Sequence, residues 1–142
     1  MPDPIIVPLN PPQFAICEDV RSEVGGQQTL VGVYPGNVIV VKSFPHPVSF
    51  LFWAVTMVMR KGSLAGQFRW LARDGSTVFV SNANFNVSVA NYILPMKFPA
   101  KFDVAQPGPL EAQIKLAEDD WRTIGRLLVS TVERLEKGEF LV

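Results

Sequence analysis

Residues 48–59, VSFLFWAVTMVM, limit what this chain can fold into more than any other stretch. The run carries only two polar side chains, Ser49 and Thr56, and both are small. A helix crossing a membrane needs about 20 apolar residues. This run is stopped by Pro45-His46-Pro47 before it and Arg60-Lys61-Gly62 after it. A buried helix fits by length. However, Val48, Phe50, Phe52, Trp53, Val55, Thr56 and Val58 are β-branched or aromatic, the types that suit a pleated surface. A strand covered on both faces reads as a continuous apolar run, whereas one with a wet face alternates. The run is therefore expected to be a central strand. Its second cover could come from this chain or from another copy. The face made by Leu51, Trp53, Val55 and Met57 is the test: left bare, it lacks a partner.

The flanking chain offers strands to pair with it. Residues 1–12 hold Pro2, Pro4, Pro8, Pro11 and Pro12, and each removes a backbone donor. This predicts an extended arm, residues 1–12, ahead of one domain, residues 13–142. Ile5, Ile6, Val7 and Leu9 would let the arm dock on the domain's own edge or on a neighbouring subunit. A strand is expected from Gln13, with Phe14 and Ile16 on one face and Ala15 and Cys17 on the other. Gly25-Gly26 predicts a turn, because glycine reaches positive φ cheaply. Residues 27–34 read as the next strand, Pro35-Gly36-Asn37 as a turn, and residues 38–42 as strand again. After the central run, Phe68 and Trp70 share a face opposite Gln67, Arg69 and Leu71. Arg73-Asp74-Gly75-Ser76 is a hairpin signal. Residues 77–81 follow, and then Phe85, Val87 and Val89 are expected to face in, with Asn84, Asn86 and Ser88 out.

Pro95 and Pro99 confine residues 92–102 to an edge strand, a bulge or a crossing loop. Leu110, Ala112, Ile114 and Leu116 alternate with Glu111, Gln113 and Lys115. In residues 121–130 the parity slips, which predicts a bulge at Gly125-Arg126. Val132 and Leu135 continue from Leu128 at helical spacing, so the chain is expected to end in a short helix stopping at Gly138, or in a fraying strand. About eight strands with no βαβ alternation predict an all-β fold, a two-layer antiparallel β-sandwich with that short C-terminal helix. A closed barrel is the alternative.

Composition narrows the function classes. At 142 residues one domain is expected. Lys plus Arg and Asp plus Glu each number 13, so the net charge is zero and no general field attracts nucleic acid or an acidic membrane. Only 18% of residues are charged against 48% hydrophobic, a balance that leans toward self-association. Cys17 is the one cysteine, which rules out an intrachain disulfide and a cysteine-based zinc site. The start, MPDPIIVPLNPPQ, lacks the basic and long apolar regions of a signal peptide. The expectation is a cytoplasmic protein with no membrane insertion and no nucleic-acid partner, whose partner is itself or another protein.

The segment FAICEDVRSEVGGQQTLVGVYPGNVIVV, residues 14–41, resembles a family of uncharacterised small bacterial β-rich proteins. In that family a strand ending in an acidic residue precedes a strand of the form (L/I)-(I/V)-G-(V/I)-(Y/F), here Leu30-Val31-Gly32-Val33-Tyr34. The Phe44-Pro45 step and Ile124-Gly125-Arg126-Leu127 fit as well. The resemblance implies a compact β-rich, bacterial domain. It implies no activity, and it carries over no catalytic residue.

Chemistry-bearing residues are few. His46 is the only histidine and sits between prolines, as a loop residue would. Cys17 and His46 make the only Cys/His pair, but Glu18 and Asp19 would raise a thiol pKa rather than lower it. Glu18-Asp19 and Glu118-Asp119-Asp120 could share calcium if their loops met, although neither has a calcium-loop spacing. Asp19 and Arg21 are spaced to pair on one strand face. Trp53 and Trp70 read as core. Trp121, with Asn84 and Asn86, is the candidate carbohydrate platform. Gly25-Gly26 and residues 62–66 lack phosphate-loop spacing. No catalytic, cofactor-binding or metal-binding residue is assigned, and no cofactor. The expected function is non-enzymatic, through protein–protein contacts as a homo-oligomer or assembly component. A small-ligand or carbohydrate-binding module is the alternative.

Overall fold

The apolar run forms strand β5 (His46–Val58), which is bonded on both sides. One neighbour is β1 (Ile6–Cys17) and the other is β8 (Tyr92–Val104), both antiparallel to it. The computed structural model describes residues 3–138, so Met1 and Pro2 of the expected arm and residues 139–142 of the expected domain lie outside the described residues. A second sheet has the order β4 (Val38–Val40), β10 (Arg122–Ser130), β9 (Gly108–Leu116), β6 (Gly62–Leu71) and β7 (Thr77–Val87). A small ribbon pairs β2 (Asp19–Ser22) with β3 (Gln28–Val31). The fold is all-β, with two main layers and one short helix, α1 (Val132–Glu136). The described residues form ten strands, where about eight were expected. The sheets curl, and β4 joins β10 in parallel, so the sandwich is not uniformly antiparallel.

Alternation on β5 explains how the layers meet. Val48, Phe50, Phe52, Ala54, Thr56 and Val58 are buried against the second sheet. Aromatic rings carry that contact. Phe98 of β8 stacks on Phe68 of β6 at 4.1 Å, and Phe52 meets Trp70 edge-on at 5.2 Å. Gly66 lets β9 come close to β6: a Cβ there would fall 1.8 Å from the Lys115 carbonyl oxygen. Gly125 gives way to the Phe52 ring in the same manner, at 2.4 Å. The register shift in β10 falls between Thr123 and Gly125, within a residue of the expected bulge, and both Ile124 and Leu127 end up buried.

The arm lies on the domain's own edge. Ile6 to Pro8 pair with Val58 to Thr56, the register then shifts, and Gln13 to Cys17 pair with Val55 to Leu51. Ile5 and Ile6 are core residues. The prolines are compatible with strand here because β1 is an edge. The same holds for Pro95 and Pro99 in β8. Residues 77–87 form one strand rather than two, with Phe79, Ala83, Phe85 and Val87 toward the core and Val89 exposed beyond its end. β3 stops at Val31, short of Tyr34, because Gly32 turns to positive φ. At the β6–β7 hairpin Gly75 is left-handed, and Asp74 accepts from the Ser76 amide and hydroxyl at 2.9 and 2.6 Å. These bonds hold the Asp74 carboxyl below its ordinary range. Thr131 caps α1 by accepting from the Arg134 amide, and Gly138 follows at positive φ.

Candidate functional site

The other face of β5 builds the most unusual surface. Leu51, Trp53, Val55 and Met57 point away from the core and are half-buried. Their neighbours across the sheet are mostly apolar, with Gln13 and Lys97 the polar exceptions: Val7 and Ile93 flank Met57, Gln13 and Pro95 flank Val55, Ala15 and Lys97 flank Trp53, and Cys17 and Pro99 flank Leu51. Ile93 is 51% exposed. The β2–β3 ribbon folds back over one end only. Cys17 and Val20 are buried there yet stand apart from the main core, and Gln28 of β3 accepts a hydrogen bond from the Trp53 indole at 2.6 Å. Trp53 is thus on the outer face, not in the core where it was expected, whereas Trp70 is fully buried. The far end lies beyond the ribbon: Ile93 is exposed there, and Val7, Val55, Met57 and Pro95 are half-buried.

The outer face of the five-stranded sheet is polar and internally bonded. The Arg69 guanidinium lies over the Trp121 ring, 3.8 Å from its centroid, and donates from Nε and Nη2 to Gln113 Oε1 at 3.0 and 2.8 Å. Gln113 donates in turn to Glu111 and Thr123, and the Thr123 hydroxyl donates to Glu111. One face of Trp121 is therefore occupied, and Asn86 accepts from the Ser63 hydroxyl at 2.7 Å. No spacing in the sequence signals this net, because its members are spread over β6, β9, β10 and the turn before β10.

The remaining candidates are dispersed. Cys17 is fully buried, with Sγ 3.8 Å from the Leu51 carbonyl oxygen. Burial pushes its thiol pKa up and the Asp19 charge adds to that, against a hydrogen bond from the Asp19 amide. Cys17 sits opposite Leu51, which is about 17 Å along β5 from His46 at the usual strand rise. The structure does not bring the Cys/His pair together. Arg21 and Asp19 approach to 3.6 Å on the exposed ribbon. Asp119 has a task the sequence did not signal. Its Oδ2 accepts from the amides of Ile5 and Ile6 at 2.8 and 3.3 Å, while Oδ1 accepts from the Asp120 amide and from Arg122. Burial pushes this carboxyl up, but the bonds from Arg122 and those amides outweigh it and hold the pKa below the ordinary range. Glu118 pairs instead with exposed Arg60. Among the described residues no group of three His, Cys, Asp or Glu could hold a metal ion, and no helix is long and apolar enough to cross a membrane.

No model of a known protein family matches the chain, and none of the curated proteins compared with it matches either.

Proposed function

We propose that this protein is non-enzymatic and works through protein–protein contacts, as a homo-oligomer or as one component of an assembly. One observation carries the reading: the outward face of the central strand is apolar along Leu51, Trp53, Val55 and Met57, and the ribbon covers only one end of it. Apolar residues mid-sheet on an open face are the kind of surface a partner covers. The buried thiol, the separated histidine and the bonded carboxylates supply no nucleophile–base pair, which supports the non-enzymatic part. Membership of the uncharacterised bacterial family belongs to the same proposal and rests on residues 14–41, the Phe44-Pro45 step and residues 124–127. A cytoplasmic location is part of the same proposal.

Replacing Val55 and Met57 together by glutamate tests the reading, because both side chains point outward and the core stays intact. The variant is expected to keep its fold by circular dichroism and to show a smaller mass than the native protein by light scattering. A native protein that stays monomeric at high concentration and matches the variant would refute the oligomer. The carbohydrate-module alternative loses one stacking face of Trp121 to Arg69. A flat tryptophan-fluorescence response across a glycan panel is the expected result.

A further inference from the structure

The sheet edges are treated unequally. β8 carries Pro95 and Pro99 with Lys97 and Lys101, β1 carries Pro8, Pro11 and Pro12, and β4 spans only Val38–Val40. Proline, lysine and short length are devices that stop a sheet edge from recruiting another strand. β7 closes the remaining edge of the five-stranded sheet. It runs 11 residues, TVFVSNANFNV, without a proline or a charge. Among the described residues only β6 pairs with it.

Register fixes which backbone groups are open. The Ala117 amide donates to the Ala65 carbonyl at 2.8 Å, so the odd residues of β6 address β9. Its even residues, Leu64, Gly66, Phe68 and Trp70, then address β7, where they meet Phe85, Ala83, Ser81 and Phe79. Alternation turns the N–H and C=O groups of Val80, Asn82, Asn84 and Asn86 to the open side. All of these residues are exposed.

We propose that β7 is a dimerisation edge, and that its occupant is β7 of a second copy, antiparallel about a two-fold axis at Asn82. This rests on the reading of the protein as one that works through protein contacts, and it names the partner and the register. A two-fold axis sets residue i against j and j against i, which an antiparallel strand pair satisfies by itself. Asn82 is the midpoint of Thr77–Val87, so an axis there uses the whole strand. Asn82 faces Asn82 of the partner subunit, Val80 faces Asn84 of the partner subunit, and Phe79 faces Phe85 of the partner subunit. The residues with open amides are the ones this register bonds. No like charges meet, because the strand has none. An axis shifted along the strand leaves residues unpaired at its ends.

The test is a cysteine at the axis. In a bonded antiparallel pair the Cα atoms are about 5.5 Å apart, inside the disulfide range of about 4.4–6.8 Å. Asn86→Cys is the control, since the two copies of residue 86 would lie about 27 Å apart at strand rise. Native Cys17 is buried and silent. Under mild oxidation Asn82→Cys is expected to give a covalent dimer of the full chain, and Asn86→Cys is not. Asn82→Pro removes one outward amide, and Asn82→Lys sets two cations across the axis. Each is expected to weaken the dimer at least tenfold with an unchanged circular-dichroism spectrum. The lysine variant decides the matter if the proline variant does not fold. Equal cross-linking of both cysteine variants, or a full-mass dimer of Asn82→Lys, overturns the proposal. If replacing Val55 and Met57 dissolves the native assembly while Asn82→Lys leaves it whole, the edge pairing fails and the protein-contact reading stands.

Discussion

The start of the first strand is held by Asp119, a residue far from it in the chain. A carboxylate only 7% exposed satisfies the Ile5 and Ile6 amides and an arginine at once. Removing it strands those donors in a partly buried place, at a cost of about 1–3 kcal/mol. Asp119→Ala is expected to lower the unfolding free energy by that much and to speed hydrogen exchange at residues 5 and 6. Because the folded pKa is lowered, the contribution is full above the unfolded value of about 4 and is lost as pH falls through the folded one. Chemical denaturation at pH 7 and at pH 3 checks this: the gap between wild type and Asp119→Ala shrinks at the lower pH. Gly66 is constrained differently. Its added Cβ would meet a backbone carbonyl, which cannot swing aside as a flexible side chain can. Gly66→Ala is expected to cost about 3 kcal/mol or more, and a thermal melt within a few degrees of wild type would contradict the close strand approach.

At the scale of elements, the β2–β3 ribbon decides how much of the outer face stays open. It seals Cys17 and Val20 and stops at Trp53, which it holds through Gln28. The native thiol is therefore expected to react with a thiol reagent far more slowly than the denatured chain does; comparable rates would place the ribbon elsewhere. Gln28→Ala is expected to shift Trp53 emission with little loss of stability, because the bond it removes is only partly buried. The strands were legible where one face is wet, as in β9, where Leu110 to Leu116 alternate cleanly. The slip in side-chain parity at Gly125 marked the bulge in β10. The ribbon's path and the parallel β4–β10 pairing were not legible, because both are set by contacts far away in the chain. The role of Asp119 was hidden likewise: an acidic turn reads the same whether it meets water or a strand 113 residues away.

For the whole molecule, the long apolar run proves asymmetric. One face of β5 fills the core, and the other lies open beyond the ribbon. A run that reads as covered on both sides is covered fully on one by its own chain, which is why a partner enters the account. Zero net charge puts no general repulsion in the way of a second copy. The two surfaces proposed for association, the apolar stripe of β5 and the edge β7, lie in different sheets. The most direct measurement is the molar mass of the native chain by light scattering across a wide concentration range. A self-associating chain gives a mass that is a multiple of 15.7 kDa and falls toward the monomer on dilution. A constant 15.7 kDa up to the highest concentration reached would contradict it.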